Sequence, residues 1–199
     1  MPNLIDSTIA FVKNELRGAE GGHDWFHVER VYKNALQINK SEKGDEIVIS
    51  LGALLHDIAD SKFHDGDETI GPQKARKFLE NHGLEKNKTD HIIKIIENIS
   101  FKGGNFKSSF SSKELDILRD ADRLDAIGAI GIARAFNYGG YKNRGLYDPS
   151  IPPNLNMTKE EYKKSTAPTI NHFYEKLLRL KSMMVTPTAI KLAEGRELF

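Results

Sequence analysis

The chain has 199 residues, of which 39% are hydrophobic and 29% charged, and its formal net charge is +1. This composition is typical of a folded globular protein with one large core, not of a disordered chain. A net charge near zero excludes a general attraction to nucleic acid or anionic membranes, so an anionic substrate needs a local cluster of Lys and Arg. The absence of cysteine excludes disulfides, thiolate metal sites and a cysteine nucleophile, and it is compatible with a reducing compartment.

The N-terminal residues predict an amphipathic helix and not a targeting segment. Apolar side chains fall on one face over residues 4–16, and the pattern ends at Gly18. The segment has no long apolar stretch, so it resembles neither a secretory signal nor a membrane anchor. We therefore expect a cytoplasmic protein that does not bind membranes.

Helical periodicity continues through the first half of the chain. A second helix over about residues 25–41 follows Asp24, whose side chain suits an N-cap. Residues 45–59 are apolar on nearly all sides, which predicts a central, buried helix. Pro72 suits the first turn of a further helix. The isoleucines over 88–99 have the i, i+3, i+4, i+7 spacing of a helix and not the alternation of a strand.

The second half of the chain is also predicted to be helical, with one long interruption. Residues 113–136 predict a long helical stretch that is apolar on most sides, with Gly128 and Gly131 allowing close approach of a neighbour. The segment 139–157 is rich in Gly and Pro, and long connections of this kind inside a compact domain are usually functional or mobile. Helices are predicted to resume over about 159–182 and 187–197.

Taken together, these patterns predict an all-α fold with little or no strand. We find no repeat and no linker between two cores, so we expect a single domain over residues 1–199. Its C-terminal helices, residues 159–199, are expected to pack on the region that carries the chemical motifs, residues 23–136.

Two histidines and two aspartates stand out in three of the helical segments. His27 lies in HDWFHVERV, the doublet His56-Asp57 in LGALLHDIAD, and Asp122 in LRDADRLDAIGA. Imidazoles and carboxylates in apolar segments are costly to bury unless something pairs with them. One divalent ion bound by two imidazoles and two carboxylates would satisfy all four, and this donor set suits Mn, Fe, Co, Ni, Zn or Mg.

Each of these residues also has an ordinary alternative. A buried histidine is more often a hydrogen-bonded core residue than a ligand, and an aspartate is more often a cap or an ion-pair partner. The side chains of the doublet would lie about 100° apart around a helix, so one ion could contact both only near the edge of that helix. His23, one turn before His27, and Asp125, three residues after Asp122, are available as outer partners that orient the ligands.

The order of these motifs resembles the HD-domain superfamily of metal-dependent phosphohydrolases. HDWFHVERV, LLHDIAD, GDE at 66–68 and DADRLDAIGAIGIARAF are similar to a bacterial subgroup of small stand-alone members, over roughly residues 23–136. The resemblance implies an α-helical fold and hydrolysis of phosphate esters or anhydrides, often in nucleotides. The metal ligands that it implies are His27, His56, Asp57 and Asp122.

The chain departs from family members that bind two metals, which supply further histidines between the doublet and the last aspartate. The histidines in that interval are His64, His82 and His91, and no histidine pair stands near Ile99–Ser100. His82 and His91 have positions at helix ends that are typical of surface or capping residues. We therefore expect one divalent ion, manganese in the first place, with cobalt, nickel, magnesium, iron or zinc as alternatives.

Asp60 and Lys62, which follow the His56-Asp57 doublet, are predicted to be catalytic. Asp60 lies where the family often places an acidic residue that orients or deprotonates the attacking water, although it could be a solvated carboxylate at a helix end. Lys62 could stabilise the charge that develops on the phosphoryl oxygens. Further candidates are predicted to bind substrate, and each could instead be an ordinary surface residue. They are Arg30, His64, Asp67, Lys102, Arg123 and Tyr141.

Two loops could frame a substrate, residues 61–68 and 139–157. The aromatic and basic side chains of the second loop suit a nucleotide base and its phosphates, and a long loop could close as a lid. An exposed connection with incidental tyrosines is the alternative. Among the substrate candidates, Arg123 could pair internally with Asp120 or Asp125.

The favoured function is hydrolysis of a (deoxy)nucleoside triphosphate to the monophosphate and pyrophosphate. A nucleoside 5'-monophosphate phosphatase is an alternative, and so is a non-catalytic nucleotide-binding module, although such a module would be expected to lose a ligand. A cyclic-dinucleotide phosphodiesterase and a non-heme iron oxygenase are disfavoured because the histidines for a second metal are missing. The expected partner is a small-molecule nucleotide and not nucleic acid, and the amphipathic terminal helices could form a homodimer.

Overall fold

The computed structural model describes residues 3–59, 67–101 and 110–196, apart from the side chains of Lys159 and Lys163. These residues form ten α-helices and two short 3-10 turns, with no strand among them, so the predicted all-α fold is confirmed. The helices are Leu4–Glu15 (α1), Trp25–Glu42 (α2), Glu46–Leu55 (α3), Ile70–Asn81 (α4), Lys86–Ile99 (α5), Lys113–Asp125 (α6), Gly128–Tyr141 (α7), Lys159–Lys164 (α8), Thr169–Glu175 (α9) and Pro187–Arg196 (α10).

Capping side chains explain where two helices important for the site begin. Asp24 accepts a hydrogen bond from the backbone N–H of His27 at the start of α2, so the predicted N-cap is confirmed. Ser112 accepts one from the backbone N–H of Leu115 at the start of α6. A cap of this kind satisfies one of the N–H groups that have no partner in the first turn of a helix.

Helix α3 lies at the centre of the molecule, as its apolar sequence predicts. Every residue from Val48 to Leu55 is buried, and the helix packs against α1, α2, α5 and α6. Gly52 permits the close approach of α6, because a Cβ at this position would lie 2.7 Å from Cδ1 of Leu118. The cluster of buried apolar side chains around α3 extends from Val12 in α1 to Ala193 in α10. The core therefore holds the first and the last helix together.

The long helical stretch predicted over 113–136 is interrupted, because the chain breaks between α6 and α7. Gly128 has a φ of +70°, a left-handed conformation that glycine adopts without a steric penalty. A Cβ on Gly131 would lie only 2.2 Å from the carbonyl oxygen of Ala126, so the chain can fold back here only without a side chain. The break is hard to predict because the sequence is apolar on both sides of it.

The helix predicted over 159–182 is wrong as a single element. The structure has α8, then α9, then 3-10 turns at Leu177–Arg179 and Lys181–Met183. Helix α8 ends at Lys164, because Ser165 with a ψ of 130° is no longer helical. Pro168 is the N-cap of α9, and proline disfavours the helical conformation of the residue before it. No helix of the described residues is long and apolar enough to cross a membrane.

Candidate metal centre

Three helices bring the four predicted metal ligands to one cavity, the metal cavity. His27 lies in the first turn of α2, and His56 and Asp57 directly follow α3. Asp122 lies in the last turn of α6, with a third of its side chain exposed. All four residues line this cavity.

The His56-Asp57 doublet lies in a turn and not on a helix. The predicted helix over 45–59 ends earlier, at Leu55. A helix end leaves carbonyl groups without intrahelical donors, and Nδ1 of His56 donates to the carbonyl of Ala53 at 2.8 Å. This hydrogen bond places the ring proton on Nδ1 and the lone pair on Nε2. Nε2 is buried and has no hydrogen-bond partner among the described residues.

His27 is oriented by Asp125 on the side away from the cavity. Its Nδ1 donates to Oδ2 of Asp125 at 2.7 Å, so its Nε2 carries the lone pair. Nε2 lies 3.6 Å from Oδ1 of Asp122 and 3.8 Å from Oδ2 of Asp57. Both distances are too long for a hydrogen bond.

The donor atoms have the spacing and chemistry that a divalent ion requires. Two atoms that each lie about 2.1 Å from one ion are at most about 4.2 Å apart. Nε2 of His27 lies within this limit of both Asp122 and Asp57, at 3.6 and 3.8 Å. One donor atom each of His27, His56 and Asp57 lies within 4.8 Å of the others, so a small movement of the side chains would bring all three to one ion. Buried polar atoms are nearly always paired, so the unpartnered Nε2 of His56 is the clearest indication of a missing partner. The residues present therefore fit a divalent ion.

The protonation states of the site agree with this chemistry. Burial, reinforced by the charge of Arg134, holds the pKa of His27 well below its ordinary value. For Asp122, partial burial acts to raise the pKa, but the positive charge around it, including that of Arg134 and Lys176, outweighs it, so the pKa of the carboxyl lies below its ordinary value. Neutral imidazole and ionised carboxylate are the forms that coordinate a metal.

Asp125 joins His27 to two arginines. Its carboxylate accepts hydrogen bonds from Nε and Nη2 of Arg30, at 2.7 and 3.1 Å, and lies 3.2 Å from Nη1 of Arg134. Arg30 is a predicted substrate residue, but its guanidinium faces Asp125, and it is not among the described residues that line the metal cavity. Arg134 lines that cavity, and its Nε donates to the carbonyl of Gly22 at 2.8 Å. Asp125 thus occupies the position of an outer partner that the sequence suggested.

The structure places two other substrate candidates near the metal centre. Arg123 lines the metal cavity, but its Nη1 donates to Oδ1 of Asp120 at 3.0 Å and to the carbonyl of Met183, so it makes the internal pairing given above as its alternative. Tyr141 is 58% exposed and lines a neighbouring cavity that Asp57 also borders. Their roles with a substrate stay predictions.

The remaining candidates cannot be placed in the site. Asp67 accepts hydrogen bonds from the backbone N–H and the hydroxyl of Thr69, both at 2.8 Å, just before α4. Four predicted catalytic and substrate residues lie outside the described residues. These are Asp60, Lys62, His64 and Lys102.

The two described histidines of the interval before Asp122 make structural contacts elsewhere. Nδ1 of His82 bonds the carbonyl of Phe78 at 2.8 Å, at the C-terminal end of α4. Nε2 of His91 lies 2.9 Å from the hydroxyl of Ser112, the residue that caps α6. Neither histidine lines the metal cavity within the described residues, so neither supplies a ligand for a second ion there.

Sequence reasoning missed three cations that line the metal cavity: Arg119, Arg134 and Lys176. The guanidinium of Arg119 binds the carbonyl of Asn98, at 2.7 and 3.2 Å. Arg134 lies within the motif region, but Lys and Arg are common on protein surfaces and their charge alone does not mark a site. Lys176 directly follows α9 in the C-terminal part of the chain, where no motif indicates its place.

A second cavity, which we call the aromatic cavity, adjoins the metal cavity and has a volume of about 130 Å³. The residues that line both cavities are His23, Ala126, Arg134 and Lys176. The other walls of the aromatic cavity come from α7, α8, α9 and the segments between them. Sequence reasoning did not predict it, because its walls come from elements that meet only in the folded chain.

Comparison with known proteins establishes the family. Residues 25–127, just over half of the chain, match the family model of the HD domain. The matched region contains all four residues of the metal centre. The chain therefore belongs to the HD-domain family, as the order of its motifs indicated.

Three relatives illustrate the similarity. YpgQ of Bacillus subtilis is 39% identical over 190 residues, which are 95% of this chain and 84% of YpgQ. The crystal structure of YpgQ in complex with ADP has a TM-score of 0.74 at 35% identity, and the match covers 98% of this chain and 91% of that chain. An HD-superfamily hydrolase from Bacillus thuringiensis has a TM-score of 0.71 at 42% identity, covering 98% of this chain and 89% of its own. A protein from Lactobacillus plantarum has a TM-score of 0.87 at 33% identity, covering 100% and 91%.

Proposed function

We propose that the protein is a metal-dependent phosphohydrolase that cleaves a (deoxy)nucleoside triphosphate to the monophosphate and pyrophosphate. The observation that carries this proposal is the convergence of two imidazole lone pairs and two carboxylates on one cavity, with Nε2 of His56 unpartnered among the described residues. The Bacillus thuringiensis relative, named a hydrolase, supports hydrolysis. The complex of YpgQ with ADP supports a nucleotide as the substrate.

In this proposal one divalent ion, manganese in the first place, is held by His27, His56, Asp57 and Asp122. When bound, such an ion supplies a Lewis acid for a phosphoryl oxygen and lowers the pKa of water. The chain itself supplies orientation. The hydrogen bond from His27 to Asp125 and the bond from His56 to the carbonyl of Ala53 hold both rings with their lone pairs available.

Positive charge beside the proposed ligands suits the phosphate oxygens. Nε of Arg134 donates to the carbonyl of Gly22 at 2.8 Å, and its Nη1 donates to the carbonyl of Asp125 at 3.1 Å. Its Nη2 makes neither of these bonds. A guanidinium that is fixed in advance can stabilise charge on a phosphoryl group without reorganising during the reaction. Lys176 adds a second cation to the same wall. Asp60 and Lys62 stay our proposed catalytic residues, with Asp60 orienting or deprotonating the attacking water.

The proposal is tested by assaying the purified chain against nucleoside mono-, di- and triphosphates with Mn²⁺, Co²⁺, Ni²⁺ and Mg²⁺, and by identifying the products. We expect triphosphates to give pyrophosphate, with Mn²⁺ the most effective ion. Orthophosphate released from monophosphates would instead identify a nucleotidase. Inactivity with every ion, together with retained nucleotide binding, would identify a non-catalytic module.

Variants of the metal centre connect the assay to the proposed ligands. Asp122→Asn is expected to weaken Mn²⁺ binding and to lower turnover by more than about 100-fold, beyond the loss that removal of an outer partner causes. His82→Ala is the matched control, because His82 binds the carbonyl of Phe78 away from the cavity. Full turnover in Asp122→Asn would contradict the assignment.

A further inference from the structure

The aromatic cavity has walls suited to a flat ring. Tyr138 comes from α7, Tyr162 from α8 and His172 from α9. The rings of Tyr162 and His172 lie 6.2 Å apart at an angle of 30°, and the guanidinium carbon of Arg144 lies 5.5 Å from the centre of the Tyr138 ring. Aromatic and guanidinium faces of this kind stack on nucleic acid bases with little regard to their sequence, because every base has a π face.

This cavity shares part of its wall with the proposed reaction site. Arg134 and Lys176 line both cavities, so a ligand with its phosphates beside these cations could place its base among the aromatic rings. Only the position of the phosphates rests on the proposed function. The aromatic walls are a property of the described residues themselves.

A buried carboxylate provides the feature that could distinguish one base from another. Glu175 lines the aromatic cavity and is 6% exposed. Its Oε1 accepts a hydrogen bond from the backbone N–H of Asn154 at 3.0 Å, and among the described residues no Lys or Arg forms an ion pair with it. An ionised carboxylate only accepts hydrogen bonds and has about four sites for them, so Glu175 can accept further donors from a ligand.

We propose that the aromatic cavity binds the base of the nucleotide and that Glu175 selects bases that carry an amino group. The exocyclic amino groups of cytosine, adenine and guanine are donors that a carboxylate can accept. Thymine and uracil present a carbonyl oxygen where cytosine has its amino group, and an oxygen opposite a carboxylate is repelled. Their ring N–H lies between two carbonyl oxygens, so it approaches the carboxylate less favourably.

The variant Glu175→Gln separates this role from folding. The hydrogen bond from Asn154 helps to hold the connection between α7 and α8 against α9. The amide oxygen of glutamine can still accept that bond, so the local structure is expected to persist. The amide can also turn its NH₂ group toward a carbonyl, which removes the preference for an amino group. Glu175→Asp keeps the charge but shortens its reach, and it serves as a second variant if Glu175→Gln does not fold.

The test measures the binding of CMP and UMP to the full chain by calorimetry with a metal chelator present. The wild type is expected to bind CMP at least about 10-fold more tightly than UMP, the lower range for a hydrogen bond to a charged group. In Glu175→Gln the two affinities are expected to agree within about 2-fold, and in Glu175→Asp the preference for CMP is expected to fall. Glu194→Gln, an exposed change on α10, is the control and should keep the wild-type ratio.

The outcomes separate this inference from the proposed function. A CMP-to-UMP ratio that is the same in the wild type and in the Glu175 variants overturns the inference, and so does the absence of binding of both nucleotides. A chain that hydrolyses no nucleotide but discriminates through Glu175 supports the inference and removes the proposed function. A chain that hydrolyses triphosphates with base preferences independent of Glu175 supports the proposed function and overturns the inference.

Discussion

The imidazole of His27 and the carboxylate of Asp125 form a hydrogen bond of 2.7 Å between residues 98 positions apart in the chain. This bond joins α2 to α6 directly behind the metal cavity. The same carboxylate contacts the guanidinium groups of Arg30 and Arg134. The orientation of one proposed ligand therefore depends on a group of charges that lies outside the proposed ligand set.

We expect Asp125→Asn to weaken Mn²⁺ binding by 10- to 100-fold, about the range for loss of an outer partner of a metal-bound histidine. The amide has nearly the same shape, but it lacks the charge that holds the Nδ1 proton of His27. Calorimetric titration with Mn²⁺ measures the change. Asp116→Asn, on the same helix but not lining the metal cavity among the described residues, is the control and should change the affinity by less than about 2-fold. An unaltered affinity in Asp125→Asn would remove the orienting role.

Asp120 is expected to be important for stability, because it ties the C-terminal segment to α6. This buried carboxylate accepts hydrogen bonds from the N–H groups of Val185 and Thr186, from the hydroxyl of Thr186 and from Arg123, at 2.8 to 3.0 Å. Asp120→Ala should lower the free energy of unfolding by about 3–5 kcal/mol, since it leaves a partly buried cation without its partner. Urea denaturation measures this loss. Asp148→Ala, which removes hydrogen bonds to Ser150 in an exposed turn, should cause a much smaller loss.

Glu20 should make the free energy of unfolding depend on pH in the acid range. Burial acts to raise its pKa, but hydrogen bonds from His23 and from the N–H of Gly22 outweigh it, so the pKa lies below its ordinary value. Because the pKa is lower in the folded than in the unfolded chain, the ionised carboxylate stabilises the protein above the unfolded pKa of about 4.3. That contribution is lost as the pH falls through the folded pKa.

Glu20→Gln should therefore unfold at a lower temperature than the wild type at pH 7. The difference should shrink as the pH falls below about 4. Thermal unfolding followed by circular dichroism from pH 7 to pH 3 provides the measurement. A difference that is constant over this range would show that ionisation of Glu20 does not contribute to stability.

Two glycines of α7 form a matched pair for testing the break after α6. Gly131→Ala should lower the free energy of unfolding by about 1–3 kcal/mol, because the new Cβ would meet the backbone of Ala126. Gly140→Ala adds a methyl group where no atom lies within 4 Å. It should be neutral or raise the free energy of unfolding by about 0.4–1 kcal/mol. Equal effects of the two substitutions would contradict the backbone contact at Gly131.

The helices of the first half could be predicted because local signals and burial agree there. The isoleucine spacing over 88–99 and the cap at Asp24 both indicate a helix whatever its neighbours are. The break at Gly128 could not be predicted in this way, since apolar residues continue across it and only the close approach of Ala126 to Gly131 requires it. Beyond α8, the 3-10 turns depend on contacts with the core that periodicity does not encode.

The four proposed metal ligands could be singled out in the sequence because imidazoles and carboxylates are conspicuous in apolar segments, and the fold brings them to one cavity. The aromatic cavity could not. Tyr162 and His172 lie in short polar segments where such residues are ordinary surface groups, and only the fold brings them beside Tyr138. The internal partners of Arg30 and Arg123 also depend on helix packing, which places Asp125 and Asp120 within reach of them.

The proposed ligands His27 and Asp122 are separated by 95 positions, and they meet only when α2, α3 and α6 pack on the core. An unfolded chain would offer these donors singly, so an ion with affinity for the assembled set would be captured almost entirely by native molecules. At a free concentration 100 times its dissociation constant, such an ion would add about 2.7 kcal/mol to the resistance of the protein to heat or urea. The melting temperature would then report how much of the metal is available in solution.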